Sequence, residues 1–574
     1  MQAYSQSLEY IMDMVHNNPG EKPYATKYND PFFLKSEGFT ATTPHWYINC
    51  LITYDNYKKN IVPQKSETRK WIRSKANKID TKLDECKKAG INVYPFTDFV
   101  VFPKEIWDKY GDLIKRESIG IGNTMGGHGK SMIPDIQRKT TQDLIKAQIE
   151  GIFNRFPQLD GIVLRFGETY LHDTPHHKGG SPIRGGDEGI EDHITFINLL
   201  REEICVKRNK KLFYRTWDWG YKFHDNPEYY LAVTNSIEPH LNLAFSIKYQ
   251  QGDFLRMTPF NPCLGIGKHQ QVVEAQSRME AYGKGAHPYY SAYGVINGWP
   301  ETRYEIDLNT GSFTGKLNDP ANPRGIKDIL NNNILCGVNT WSNGGGWQGP
   351  YINNEIWTDL NTYVVSHWAQ NTRCSEEDLF YEFAGKHNIS GIEADKFRQI
   401  ALLSIEGVRK GQCNSYTINN KWWSRDEFFS AEANQSVLKQ ILQNHLQEKI
   451  LAEKAESSAI WRQIEALSKQ LSINDTALLE AIRVSCTYGR IKYELIEQMW
   501  ILMIENTRFK VAGKLDKNLI NISINRYDAL WHEWQILKES STQCATLYSD
   551  LAFRNKKSGS IGELVDNLRL MIRE

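Results

Sequence analysis

Up to about residue 370, short runs rich in β-branched and aromatic residues alternate with amphipathic helical stretches, and beyond that point the strand-like runs nearly stop. Such alternation is the pattern of parallel strands joined by right-handed crossovers. The strand candidates are 45–54 (HWYINCLITY), 91–100 (INVYPFTDFV), 118–122 (SIGIG), 161–167 (GIVLRFG), 211–217 (KLFYRTW), 241–249 (LNLAFSIKY), 271–276 (QVVEAQ) and 334–341 (ILCGVNTW). Eight strands would close a (β/α)8 TIM barrel; an open sheet is the alternative if the short run 118–122 is no strand. Between them, ETRKWIRSKANKIDTKLDECKKAG places Trp71, Ile72, Ile79 and Leu83 at near-helical spacing before a stopping Gly90. Residues 1–40, helix-like over Ser7 to Val15 and then rich in Pro, Gly and Asn, read as an N-terminal arm; 41–370 reads as the barrel and 371–574 as an all-α C-terminal domain.

Composition excludes several classes. With 69 Lys and Arg against 68 Asp and Glu, the chain has neither a strong positive field nor a basic block, which argues against a nucleic-acid binder or a polybasic membrane-surface protein. The longest apolar runs, such as Met499 to Ile504, fall far short of the ~20 residues that cross a bilayer. The N-terminus lacks the basic and apolar regions of a signal peptide, so the expected location is cytoplasmic, or periplasmic if a signal has been removed. Nine scattered cysteines without a CxxC pair read as ordinary thiols. The helical C-terminal region is the surface through which a homodimer would form.

Chemistry in a barrel of this kind sits at the C-terminal ends of the strands. Three carboxylates fall there: Glu168 after GIVLRFG, Asp253 closing LNLAFSIKYQQGD, and Glu274 within QVVEAQ. An apolar setting makes a carboxylate expensive unless it is paired or its pKa is raised, and a raised pKa is what a general acid needs. Three cations accompany them: Arg165, Arg215 and Lys248. Each either neutralises one of these carboxylates or contributes to a clamp for a substrate carboxylate, for which Arg offers a planar fork. Trp217, Trp219, Trp299, Trp341 and Trp347 lie near strand ends, where they stack on sugar rings or simply pack. His172, His176 and His177 form a histidine-rich loop without standard ligand spacing and are read as lining the mouth or facing solvent; no metal or cofactor is expected. GGHGKS at 126–131 lacks the first glycine of a phosphate loop and reads as a Gly-rich loop.

LNLAFSIKYQQGDF followed by NPCLGIGKHQQVVEAQSRMEAYGKGAHPYY resembles the catalytic stretch of the xylan-type α-glucuronidases, glycoside hydrolases with a (β/α)8 barrel and a helical C-terminal region. The order Lys248, Gly252, Asp253, Phe254, Pro262, Lys268, Glu274, Gln276, Glu280, Tyr282, Gly283, His287 is similar to that family's, with nearly the same spacing. GIVLRFGETY resembles the strand bearing its general acid, and GVNTWSNGGGWQGPYINNEIWTDLNTYVVSHWAQN resembles its last strand. That family's β-rich N-terminal domain has no counterpart before the first expected strand, and the loop after Glu168 differs from the family's loop. The resemblance implies that Glu168 protonates the glycosidic oxygen, that Asp253 and Glu274 hold and activate a water, and that Arg165, Arg215 and Lys248 contact a uronate carboxylate. It implies metal-free hydrolysis with inversion on an oligosaccharide or polysaccharide; inversion requires acid and base about 6.5–9.5 Å apart. A glycosidase for a neutral or N-acetylated sugar and a noncatalytic carbohydrate-binding barrel are the alternatives. A hexosaminidase-type mechanism usually pairs Asp with Glu at the acid position, where Gly167 precedes Glu168 here.

Overall fold

The structure is a computed structural model that describes residues 7–16, 25–116, 123–125, 133–171, 173–217, 222–252, 254, 256, 258–277, 286–299, 304–306, 313–317, 324–344, 353–412, 414–416, 434–545 and 560–573. Its centre is a ring of parallel strands: β1 (Tyr10–His16), β2 (Ala41–Thr42), β3 in two halves (Asn92–Val93 and Phe96–Asp98), β4 (Gly161–Arg165), β5 (Lys211–Arg215), β6 (Leu243–Lys248), β7 (Gln270–Gln276) and β8 (Leu335–Gly344). Each strand pairs with its successor, and β8 pairs with β1. The break in β3 falls at Tyr94 and Pro95. Proline has no N–H to give the ladder, but Tyr94 N–H donates to Thr42 O, Phe96 N–H donates to Pro44 O and Pro95 O accepts from Val163 N–H, so the ring closes across the break. The architecture is therefore a (β/α)8 barrel, not an open sheet.

Two sequence expectations are corrected. Ser7 to Val15 is not helix-like: Tyr10–His16 is β1, inserted between β8 and β2, so the segment read as an arm supplies a barrel strand. Its two faces are both buried, Met12 and Met14 inside the barrel and Ile11 against the helices, and a strand buried on both sides carries no period-two signal. Residues 45–54 are not a strand: Tyr47 is left-handed (φ 52°), and Ile48–Cys50 forms a 3-10 turn. The candidate strand 118–122 and the Gly-rich loop 126–131 lie outside the described residues.

Inside the barrel, Tyr10, Tyr94 and Phe213 pack edge to face at one end, with ring centroids 4.9–6.4 Å apart. Met12, Val163 and Val272 continue this apolar filling toward the strands' C-terminal ends. Long amphipathic helices, among them Glu67–Ala89, Lys139–Arg155 and Ile356–Gln370, cover the outside. Ser66 caps the first by accepting from Arg69 N–H, and Gly90 ends it at φ +69°, a left-handed position that glycine adopts without penalty.

From Glu376 onward the described elements are helices, with Ile392–Gln412, Gln447–Lys469 and Thr476–Ala512 at their centre. Trp461 stacks on Tyr493 there at 4.7 Å and 5°. This region grips the barrel side through segment 286–290. His287 packs edge-on to Trp461, Tyr290 N–H donates to Ser404 Oγ (3.1 Å), and the Tyr290 hydroxyl donates to Glu376. Among the described residues no helix is long and apolar enough to cross a membrane.

Candidate functional site

The C-terminal ends of β3 to β8 turn a set of charged and aromatic side chains into the barrel mouth. Period-two alternation explains it: the positions that face inward lower down as Phe96, Val163, Phe213 and Val272 become Asp98, Arg165, Arg215 and Glu274 one pleat higher. All four charged residues are buried, and they form two ion pairs. Arg165 donates from Nε to Oδ1 of Asp98 (2.6 Å) and from Nη2 to Oδ2 (2.7 Å). Arg215 donates from Nε to Oε1 of Glu274 (2.6 Å) and from Nη2 to Oε2 (2.7 Å), while Ser246 Oγ donates to the same Oε1 (2.8 Å). Burial alone raises the pKa of Glu274, but Arg215, with help from Lys248 and Ser246, outweighs it and holds the carboxyl below its ordinary value. Glu274 is therefore an ionised anchor for Arg215.

The cations gather around shared rings. The guanidinium carbons of Arg165 and Arg215 lie 5.0 and 4.9 Å from the centre of the Phe96 ring, and Arg215 is 5.2 Å from that of Trp341. Lys248 Nζ is 3.7 Å from the Trp217 ring centre, 4.6 Å from Phe254 and 5.6 Å from Trp341. On the far side, His16 stacks on His45 (5.5 Å, 13°) and lies 5.6 Å from Trp341. Burial first, then the neighbouring His45 and the three cations, push the pKa of His16 well below the ordinary value. Behind Trp217, the ring of His224 bridges Thr216 Oγ1 (3.0 Å) and Gln250 O (3.2 Å), tying the ends of β5 and β6 together; burial lowers its pKa to about 3.

Of the residues singled out in the sequence, Arg165, Arg215, Lys248, Glu274, Trp217 and Trp341 converge at this mouth. Glu168 opens a short strand, Glu168–Tyr170, paired in parallel with Asn123–Met125; its side chain lies outside the described residues, as do Asp253, His172, Trp219 and Trp347. His177 does not line the mouth, since it is buried beside Trp71 with its own short strand, His177–Gly179, paired to Val101–Pro103. Trp299 is buried under Arg256, whose guanidinium carbon sits 3.7 Å from the ring centre. Sequence reasoning missed Asp98, the partner of Arg165. The signal was present, because Asp98 lies near the end of the strand candidate 91–100, as Glu168 follows 161–167. The 3-10 turn at 48–50 supports this residue: the Asn49 amide donates to Asp98 O and accepts from Thr97 Oγ1 (2.8 Å).

No family model matches the chain, and no curated protein does. Solved structures do. A GH138 enzyme described as targeting pectin rhamnogalacturonan II matches with TM-score 0.54 at 10% identity, over 99% of this chain and 68% of that one. An O-GlcNAc hydrolase from Thermobaculum terrenum matches with TM-score 0.38 at 9% identity, over 98% and 94% of the two chains. A GH20 exo-β-N-acetylglucosaminidase from Vibrio harveyi matches with TM-score 0.34 at 11% identity, over 70% and 58%. The chain thus shares the fold of that GH138 enzyme, a TIM-like barrel followed by a helical region. At this identity the likeness concerns the fold and leaves the substrate to the site.

Proposed function

We propose that this protein is an exo-acting, inverting glycoside hydrolase that removes a uronic acid residue, α-glucuronate-like, from an oligosaccharide or polysaccharide. The observation that carries the reading is the convergence of Arg165, Arg215 and Lys248 on the Phe96 and Trp341 rings at one barrel end. Inward positions of a barrel are ordinarily filled by branched apolar residues, and three buried cations beside aromatic faces suit a flat sugar that bears a carboxylate. Glu168 protonates the leaving oxygen and Asp253 activates the attacking water. Glu274 holds the Arg215 fork in place. Lys248 and Arg215 meet the uronate carboxylate, with Trp217 and Trp341 as ring platforms, and Arg165, neutralised by Asp98, lines the mouth beside them. His172, which follows Glu168 in the sequence, is assigned a part in binding the sugar.

A neutral glycone is the second reading. It is favoured by the way Glu274 and Asp98 already occupy the forks of Arg215 and Arg165. The two are separated by reducing-sugar release from uronic-acid-substituted xylo-oligosaccharides, pectic oligosaccharides and neutral controls, following the released anomer by proton NMR. Release of the inverted uronate, abolished in Glu168→Gln and reduced at least ~10-fold more for uronate than for neutral substrates in Lys248→Met, is the expected outcome. Activity confined to neutral glycosides overturns the uronate specificity. Binding of sugars without turnover by the wild-type protein would point to a carbohydrate-binding barrel.

A further inference from the structure

The mouth has a second wall that differs in kind from the cationic one. On β7 and β8, Glu274 and Gln276 stand opposite Asn339 and Trp341 in register. By the alternation that turns Val272 and Glu274 inward, Gln276 also faces the barrel, and the Thr43 hydroxyl, donating to Asn339 Oδ1 (3.4 Å), shows that Asn339 does so too. Among the described residues, both amide atoms of Gln276 are buried without a hydrogen-bond partner, as are Asn339 Nδ2 and Trp341 Nε1. The three residues are 6%, 0% and 4% exposed. Buried polar groups are nearly always satisfied, and a cluster of unsatisfied ones along two adjacent strands is a place where polar atoms of a ligand complete the bonding.

We infer that Gln276, Asn339 and Trp341 form a neutral hydrogen-bonding wall that reads the hydroxyl groups of the bound sugar, with Gln276 as the specificity-determining residue. An amide presents a donor and an acceptor side by side, as two neighbouring hydroxyls do, whereas Asn339 Nδ2 and Trp341 Nε1 offer donors only. The wall adjoins the cations, the Trp341 ring centre lying 5.2 Å from the Arg215 guanidinium carbon and 5.6 Å from Lys248 Nζ, so hydroxyls and carboxylate are recognised by neighbouring parts of one mouth. A site whose buried amide is matched to a hydroxyl rejects the analogue lacking it much more strongly than a purely apolar pocket would. The inference rests on the carbohydrate reading of this mouth, yet it does not require turnover.

The experiment is an NMR titration of the full-length protein with methyl glucuronoside, methyl galacturonoside, methyl glucoside and the single-deoxy analogues of the first. Wild-type protein is expected to lose at least ~10-fold in affinity when one particular hydroxyl is removed or inverted. Gln276→Leu is expected to bind the parent sugar at least ~10-fold more weakly and to bind that one deoxy analogue as wild type does. Trp341→Phe keeps an aromatic face but loses the N–H together with the five-membered part of the indole, so it is expected to weaken the parent sugar while the preference set by Gln276 persists. Gln276→Glu, of the same size and without the amide donor, should lose that preference and carries the test if Gln276→Leu does not fold. Equal weakening on the parent and every analogue by the Gln276 substitutions, or no change, overturns the wall and leaves the uronate reading standing. Neutral sugars bound with the same hydroxyl dependence, and uronates not, would uphold the wall and overturn the uronate reading. Binding of none of these sugars overturns both.

Discussion

Arg215 and Glu274 bury a complete ion pair, and removing one partner strands the other charge in a medium that cannot solvate it. Arg215→Met is expected to cost about 3–5 kcal/mol in denaturant melts, and Arg215→Met with Glu274→Met to recover most of the loss. The single substitution therefore cannot distinguish a substrate clamp from a structural pair. The double variant, compared on uronate and neutral substrates, can. Asp13 on β1 poses the opposite problem. It accepts from Thr340 Oγ1 (2.6 Å), Ser342 Oγ (2.7 Å) and Ser342 N–H (3.2 Å), yet burial outweighs these bonds and pushes its pKa from 3.8 up to about 7. A carboxyl whose pKa rises on folding lends stability at low pH and loses it as pH climbs through the folded value. Against Asp13→Asn, the wild-type urea midpoint is expected to fall between about pH 4 and about pH 7 and to level off above. A constant difference across that range would show that Asp13 titrates normally.

At the scale of elements, packing overrides propensity in both directions. Gly489 lies in the interior of a 37-residue helix, where alanine would gain about 1 kcal/mol of helix propensity. A Cβ there would fall 2.2 Å from Trp461 Cζ3, and that ring is fixed between Tyr493 and His287. Overpacking costs about 1–3 kcal/mol, so Gly489→Ala is expected to lower Tm; an increase would mean that Trp461 can shift. The same competition set what was legible beforehand. Strands β3 to β8 were readable because each is a compact β-rich run bounded by turn residues. β1 was not, since its two methionines and aspartate lack strand character and its hydrogen-bonding partner Thr340 lies 327 residues away. The stretch 45–54 misled for the converse reason: local β propensity gives way to a turn that supports the Asp98 backbone. At the mouth, strand-end position and residue type sufficed to find Arg165, Arg215, Lys248 and Glu274. The pairing of Arg165 with Asp98 depends on which strands are neighbours, and a linear reading does not contain that order.

The molecule as a whole stores buried neutral histidines. Burial is the leading cause that lowers His16 and His45 well below 6.5 and brings His177, His193 and His224 to about 3. A histidine kept neutral by folding supports stability above about pH 6.5, and that support is lost as pH falls toward its folded pKa. Unfolding at pH 5 should therefore take up about four protons from these five histidines and Asp13, five gained and one released. The slope of unfolding free energy against pH measures this directly, and a flat slope between pH 4 and 6 would contradict it. The seam between β1 and β8 has a consequence for how the chain is made. At about 5–20 residues per second, the interval between synthesis of the first strand and of the last is on the order of 16–65 s. Throughout that interval the nascent sheet carries two open edges, the condition under which strands pair with the wrong neighbour. Ribosome-bound chains that end before residue 335 should accordingly associate with holdase chaperones, and chains long enough to expose all of β8 should be released.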